Sequence, residues 1–243
     1  MISKNQLKLI RALGQKKYRK QYNQYLVQGE KNVLELLASD LAAVDVFATA
    51  AFISQYQSQF NKITMIEADE ESLTKASTLV SNNAAIAVVA MPTVELPNTE
   101  GLILALDGVS DPGNLGTIIR VADWYGIKHI VTSIDSADPY NPKTISATMG
   151  SFVRVAVSQV ELPAYLKTLN LPIYGAFLEG ENLHKTELSQ SGVLLMGSES
   201  HGIRSECAAL VSNKITIPAF GAAESLNVAM ATGIILDNFK RQA

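Results

Sequence analysis

GSESHGI (Gly197 to Ile203) and, shortly after it, ITIPAFGAAESLNVAMATGIILDNF (Ile215 to Phe239) are the stretches on which the fold of this chain turns. Each begins where an apolar run of strand length, Val193 to Met196 or Lys214 to Ile217, gives way to a glycine-bearing loop. Each loop then leads into a helical pattern, near Ile203 and near Leu226. Strand, loop and helix in that order form the repeating unit of a parallel α/β sheet, and such sheets bind ligands where their strands end. Both loops concentrate polar groups, Glu199, Ser200 and His201 in the first and Ser225 and Asn227 in the second. They predict a pocket rather than packing alone.

The same alternation extends toward the N-terminus. Strand candidates lie at Leu102 to Val109, His129 to Ile134, Phe152 to Val157 and Ile173 to Phe177, with helices beginning near Leu115, Pro142 and Leu162. This order predicts a mostly parallel sheet covered on both faces. PTVELPNTEG (Pro92 to Gly101) carries two prolines and a glycine without helical period, so it reads as a linker at residues 92–101 between domains of residues 1–91 and 102–243. The first domain has strand candidates at Tyr25 to Gln28, Val44 to Thr49, Ile63 to Glu67 and Ala84 to Met91, and helices centred near Leu36, Tyr56 and Leu73. A basic helix precedes them, with Leu7, Ile10 and Leu13 as its buried stripe. Together these make a small α/β unit.

A third strand-to-helix junction is LDGVSDPGNLGTIIRVADWYGI (Leu106 to Ile127). Gly113 and Gly116 allow close backbone approach, and the amides of a helix start can hold an anion. It contains neither G-x-G-x-x-G nor G-x-x-x-x-G-K-[ST], so dinucleotide and nucleoside-triphosphate fingerprints do not apply. Asn114 suits a helix cap as well as a ligand contact, and Arg120 can pair with Asp123 at i,i+3 or face a substrate. No serine-triad pattern accompanies Ser200, and His201 reads as a loop residue. Glu199 is the better candidate, able to accept from backbone amides or to anchor an arginine. Ser225 and Asn227 can cap the last helix, while the Pro218 to Gly221 loop and the small residues Ala229 and Ala231 leave room for a cavity.

The net charge of −3 hides an asymmetry. Residues 1–31 hold eight cations (Lys4, Lys8, Arg11, Lys16, Lys17, Arg19, Lys20, Lys31) against Glu30 alone, a net +7 that leaves −10 for the other 212 residues. A basic end on an acidic protein suits a phosphate backbone, and Tyr18, Tyr22 and Tyr25 between the cations can stack on bases. A solvated basic helix face explains the charge equally well. Nothing near Met1 resembles a signal peptide, and the longest apolar run, Ala84 to Met91, falls far short of the roughly 18 residues of a membrane span. A cytoplasmic protein without membrane association is expected. The single cysteine, Cys207, rules out an internal disulfide and a cysteine zinc cluster, so no metal is expected and the thiol should be half-buried and inert.

Three ordered motifs carry a resemblance. NLGTIIR (Asn114 to Arg120) matches N-x-G-x-x-x-R, GSESHG (Gly197 to Gly202) matches G-x-E-x-x-G, and ESLNVA (Glu224 to Ala229) contains S-L-N-V. Together they resemble the SpoU family of RNA 2'-O-ribose methyltransferases, within the SPOUT superfamily. The similarity covers Leu102 to the C-terminus. It extends more loosely to YLVQGEKNVLELL (Tyr25 to Leu37), which looks like the family's small RNA-binding domain. SNNAAIAVVA (Ser81 to Ala90) departs from the family, whose members commonly carry a glutamine-glycine pair before this strand.

The resemblance implies a C-terminal, mostly parallel sheet with a deep trefoil knot, which general topology rules would reject, plus the small N-terminal α/β RNA-binding domain. It implies S-adenosylmethionine as cofactor, held by Gly197, Ile217 and Leu226, with Met196, Pro218 and Asn227 beside them. It implies a homodimer in which the helix from Val228 to Phe239 is either part of the contact or ordinary core. It implies methyl transfer to a ribose 2'-oxygen as the reaction. Arg120 acts there as an electrostatic stabiliser rather than a base, because a guanidinium keeps its proton. Asn114 and Ser225 orient the ribose beside Asn227, and Glu199 fixes Arg120 or its loop. RNA contact falls to Lys16, Lys17, Arg19, Lys20 and Lys31. A 2'-hydroxyl target makes RNA and not DNA the substrate, and the two-domain layout favours rRNA over tRNA. One rival is a catalytically silent RNA-binding or ribosome-assembly protein. The other is an unrelated α/β enzyme that takes a phosphorylated metabolite at the Gly113 to Gly116 loop.

Overall fold

The computed structural model describes residues 2–97 and 101–241, so residues 98–100 of the expected linker lie outside the described residues. From the N-terminus the elements are α1 (Lys4–Leu13), α2 (Lys16–Tyr22), β1 (Gln24–Gln28), α3 (Glu30–Leu37), β2 (Ala43–Ala48), α4 (Ala50–Tyr56), β3 (Met65–Glu67), α5 (Glu70–Ala76) and β4 (Ala85–Ala90). They continue with β5 (Leu102–Asp107), α6 (Pro112–Trp124), β6 (His129–Ser133), α7 (Pro142–Thr148), β7 (Ala156–Val160), α8 (Leu162–Lys167), β8 (Ile173–Asn182), β9 (Gly192–Gly197), α9 (Ser205–Ala208), β10 (Asn213–Thr216) and α10 (Val228–Arg241). Two compact units result, Met1–Thr93 with Asp138–Val153 and Val94–Ala137 with Arg154–Ala243. The break after Thr93 falls within the expected linker, but residues 138–153, expected in the C-terminal domain, belong to the first unit.

In the first unit four strands in the order β1-β4-β2-β3 form a mixed sheet, parallel only between β2 and β3. β4 lies inside the sheet and its side chains alternate between two cores. Ala85, Ala87 and Val89 join Tyr25, Val33, Leu36 and Phe52, while Ile86 and Val88 join Ile10, Leu13, Phe47 and Leu73. A strand covered on both faces reads as an unbroken apolar run, which is how β4 stands out in the sequence. Ile145, Tyr140 and Phe152 pack into the first of these cores. The ring of Tyr140 lies 4.8 Å from that of Tyr25, and Phe152 meets Tyr25 edge-on at 6.5 Å. Burial of these large side chains is the physical reason residues 138–153 leave the second unit. It also corrects the strand expected at Phe152 to Val157, since Phe152 sits in a 3-10 turn (Ser151–Val153) and β7 starts only at Ala156.

A capping box starts α1: Ser3 Oγ accepts from the Gln6 amide at 3.3 Å, and Gln6 Oε1 accepts from the Ser3 amide at 3.0 Å. Where one basic helix was expected there are two, because Gln15 is extended (φ −105°, ψ 135°) and redirects the chain into α2. That turn sends Arg19 inward, where it is 1% exposed. Its Nη1 donates to the carbonyls of Leu13 (2.9 Å) and Gly14 (3.0 Å), groups that the end of α1 leaves without helical partners. Its Nη2 and Nε donate to Asp138 Oδ2 at 2.6 and 3.2 Å.

The second unit is built on six parallel strands in the order β10-β8-β9-β5-β6-β7. On one face Leu104 and Leu106 pack with Leu115, Ile118 and Ile119 of α6 and with Ile235, Leu236 and Phe239 of α10. On the other, Ile103, Ala105, Val193 and Leu195 pack with Leu162 and Leu166 of α8 and Cys207 of α9. The sheet therefore lies between two helical layers, as its strand-helix alternation predicts. β8 runs on to Asn182, past the expected Phe177, because β10 pairs with it on both sides of a register shift between Lys214 and Ile215. From β5 the sheet continues to β6 and β7 on one side and to β9 and β8 on the other. Strand order reverses between β5 and β9, the switch point at which a parallel sheet opens a crevice beyond its carboxyl ends. No described helix is long and apolar enough to cross a membrane.

Candidate active site

The two strands flanking the switch point end in Asp107 and Gly197, and the loops that leave them carry the first two sequence motifs. After β5, Asp111 caps α6: its side chain accepts from the Asn114 amide at 2.8 Å, and Pro112 follows at the first helical position. Asn114 is therefore not the cap. Its side-chain amide is free to point across the crevice, where Nδ2 donates to Glu199 Oε1 and Oδ1 accepts from Asn227 Nδ2 at 3.0 Å. Asn227 does both jobs the sequence left open for it. Its Oδ1 accepts from the amides of Ala229 (2.9 Å) and Met230 (3.4 Å), capping α10, while its Nδ2 reaches Asn114. Residues 114, 199 and 227, one from each motif, thus form a single hydrogen-bonded chain.

The loop after β9 doubles back on itself. Ser198 and Gly202 exchange backbone hydrogen bonds of 3.1 and 2.9 Å, and Gly202 takes a positive φ of 64°. A Cβ on Gly197 would overlap Gly202 C and Ile203 N, so the closure demands glycine there. His201 is exposed, with its amide on Ser198 Oγ at 3.2 Å.

Arg120 is exposed on α6 and has no hydrogen-bond or ion-pair partner among the described residues. The pairing with Asp123 does not occur, because Asp123 is engaged by Arg154 Nη2 at 2.9 Å and Nε at 3.0 Å. Glu199 does not anchor Arg120 either; its partner is Asn114. Ser225 and Leu226 are exposed on the loop from Ala219 to Asn227, with Ile217 and Pro218 half-buried at its start. Between Pro218 and Leu226 the backbone makes no hydrogen bond with any other described residue, so its amides and carbonyls are open to a ligand. The Met196 side chain is buried in the core, which limits that residue to a backbone contribution.

Sequence reasoning missed a second cluster at the same strand ends. Asp107, fully buried, accepts from the Arg204 amide (2.8 Å), from Arg204 Nε (2.8 Å) and from Arg204 Nη2. The guanidinium also reaches Asp135, beyond β6, at 3.1 and 3.2 Å. The hydrogen bond to Asp107 pushes the Arg204 guanidinium further above its ordinary value, and the Ser133 hydroxyl is the main cause holding the Asp135 carboxyl below the usual carboxylate range. A carboxylate closing the apolar strand ILALD is the visible signal, but its partner lies 97 residues along the chain, beyond any local pattern. Cys207 is fully buried rather than half-buried, and burial pushes its thiol up to about 12. No group of three or more His, Cys, Asp or Glu arranged to hold a metal occurs among the described residues.

In the first unit Lys16, Lys17, Lys20 and Lys31 are exposed. Arg19, expected among the RNA contacts, is withdrawn from that surface by its bonds to Asp138 and to the end of α1. Tyr18 and Tyr22 stack at 6.3 Å with Lys17 Nζ 4.6 Å from the Tyr18 ring centre, whereas Tyr25 is buried and unavailable for stacking on a base.

Comparison with known proteins agrees with this geometry. The MRM3-like substrate binding domain matches residues 4–87, and the SpoU rRNA methylase family matches residues 101–237. The 23S rRNA (guanosine(2553)-2'-O)-methyltransferase RlmP of Bacillus subtilis is 32% identical over 241 residues, 96% of each chain. The structure of a putative RNA methyltransferase of the TrmH family from Porphyromonas gingivalis is 38% identical, with a TM-score of 0.90 over 100% of both chains. The AdoMet-bound rRNA methyltransferase from Sinorhizobium meliloti is 28% identical, with a TM-score of 0.85 over 99% of this chain and 97% of that one. With its three motifs joined at one switch point and these matches spanning both units, the chain belongs to the SpoU rRNA methylase family.

Proposed function

We propose that the protein transfers a methyl group from S-adenosylmethionine to a ribose 2'-hydroxyl of ribosomal RNA. The observation that carries this reading is the Glu199, Asn114, Asn227 hydrogen-bonded chain at the crevice between β5 and β9. The open backbone groups from Pro218 to Leu226 and the glycine-dependent turn at Gly197 fit a ligand recognised largely through main-chain contacts. Gly197, Ile217 and Leu226 would hold it, with Pro218, Asn227 and the Met196 backbone alongside. When bound, S-adenosylmethionine would supply an electrophilic methyl group on its sulfonium, with the neutral thioether S-adenosylhomocysteine as the leaving group.

The residues present then divide the work. Glu199 fixes the side-chain amide of Asn114, and Asn227 fixes its other end, so Asn114 presents a rigid edge toward the ribose with the Ser225 hydroxyl nearby. Arg120 has no competing anion among the described residues, and a guanidinium is no base, so it stabilises the alkoxide that forms and can hold an RNA phosphate, which takes up the released proton. Alignment of the two reactants supplies much of the acceleration.

Around that centre, the segment from β10 to α10 threads the deep trefoil knot, a reading supported by the close likeness to TrmH-family and rRNA methyltransferase structures. The protein acts as a homodimer. α10 turns Ile235, Leu236 and Phe239 into the core but leaves Met230, Gly233 and Ile234 along a groove of about 860 Å³ shared with Val121 and Tyr125 of α6. Trp124, 84% exposed and next in the chain to Tyr125, would give a second copy an apolar anchor. The first unit recognises the RNA, and the protein works in the cytoplasm, where ribosomal RNA is found.

Incubation with labelled S-adenosylmethionine and total RNA, followed by mapping of the methylated nucleotide, tests the whole assignment. Label is expected in a ribose 2'-O-methyl of rRNA; transfer to tRNA alone overturns the substrate, and no transfer overturns the activity. Substitution of Lys16, Lys17 and Lys20 together by glutamine should weaken RNA binding at any one salt concentration. It should also make the slope of log affinity against log salt shallower by about 2 to 3. An unchanged slope in a salt titration would remove these lysines from the interface.

A further inference from the structure

We infer that Arg204 is a positioning residue for the cofactor half of the site, a role that rests on the methyltransferase reading above. In that reading the loop after β9 has two tasks. Gly197 offers backbone groups to S-adenosylmethionine, and Glu199 reaches Asn114. The bonds within the loop, between Ser198, His201 and Gly202, close it on itself but tie it to nothing else. At its far end Ile203 packs into the core beneath the sheet, and the polar bonds that fix the loop to the strand ends come from the next residue, Arg204.

Three features support this. Arg204 gives Asp107 three hydrogen bonds, one from its amide and two from its guanidinium, so both backbone and side chain are fixed at the carboxyl end of β5. The same guanidinium reaches Asp135 beyond β6, so a single side chain joins the loop after β9 to two neighbouring strand ends at the switch-point crevice. Asp107 also begins the turn that leads through Asp111 to Asn114. The loop is therefore clamped twice to the same β5-to-α6 connection, by Arg204 at one end and by the Glu199 to Asn114 hydrogen bond at the other. A guanidinium holds its donors in a rigid planar fork, so it can fix the geometry of a buried carboxylate and an exposed one at once, where an ammonium offers only a compact point charge.

The test uses Arg204→Lys, which keeps a positive charge opposite buried Asp107 but loses the fork. Calorimetric affinity for S-adenosylmethionine is expected to fall about 10-fold, in line with the sensitivity of aligned sites to small displacements. The KM for RNA should hold, and exchange of the Ser198 to Gly202 amides in the cofactor-free protein should accelerate. Unchanged cofactor affinity overturns the inference. So does a parallel loss of cofactor and RNA affinity with a lowered Tm, which marks a merely structural role. If Arg204→Lys does not fold, Asp135→Asn decides: this carboxylate is 59% exposed, its loss leaves the buried pair intact, and about 3-fold weaker cofactor binding at unchanged Tm is expected. Equal affinity for that variant overturns the inference as well. If the wild-type protein itself fails to bind S-adenosylmethionine, the methyltransferase reading fails instead.

Discussion

Arg120→Ala is expected to slow methyl transfer by about 10²- to 10³-fold, the usual cost of removing one donor that stabilises a developing oxyanion. The fold should not notice the change. Arg120 is exposed and partnerless among the described residues, and Asp123, the only acid it could have met one helical turn away, is held by Arg154. Affinity for S-adenosylmethionine should therefore stay within about twofold, as for surface substitutions away from packed or paired groups. Single-turnover transfer measured alongside calorimetric cofactor binding separates the two effects. Retained turnover would sink the assignment, and loss of cofactor binding together with turnover would move Arg120 into the cofactor site. Arg120→Lys should recover only part of the rate, because an ammonium offers a point charge without the fork that matches phosphate and alkoxide together.

Arg120 also marks where the sequence was readable. N-x-G-x-x-x-R is local, and the helix that carries it forms from local signals, Asp111 as cap and Pro112 at the first position. The β-strands were equally plain because most are covered on both faces and so appear as apolar runs. The division of labour between Asp111 and Asn114 was not legible. Either side chain can cap a helix, and only the backbone position of Asp111, one residue ahead of Pro112, frees Asn114 for Glu199 and Asn227.

Pairings across long stretches of chain were the other blind spot. Nothing near Pro142 announces that Tyr140 and Phe152 will pack on Tyr25, since an apolar residue is compatible with any core. Nothing in the sequence joins Asp107 to Arg204. The basic N-terminal segment shows the difficulty most clearly. Five cations of similar chemistry were assigned one role, and four of them do lie on the surface. The fifth, Arg19, is turned inward by a helix break at Gln15 that carries no strong breaker residue, the neighbouring Gly14 being helical in conformation.

That inward turn makes Arg19→Met the substitution with the largest expected cost to stability. Asp138 would keep a carboxylate, 12% exposed, with no cation beside it, and the carbonyls of Leu13 and Gly14 would lose their donor. Breaking one side of a buried pair costs about 3–5 kcal/mol, a large share of what a unit of this size has in reserve. The first unit should melt at markedly lower denaturant, and amides near residues 138–153 should exchange faster, because Asp138 begins the segment that packs on Tyr25. Adding Asp138→Asn to Arg19→Met should restore part of the loss, since a neutral amide is far easier to leave unpaired than a charge. Lys16→Met, one helical turn away but exposed, should change stability by no more than about 0.5 kcal/mol. The contrast decides between two roles for one arginine. If Arg19→Met unfolds no more easily than Lys16→Met yet binds RNA more weakly, Arg19 belongs on the RNA surface after all, and the buried pair with Asp138 is not what holds these segments together.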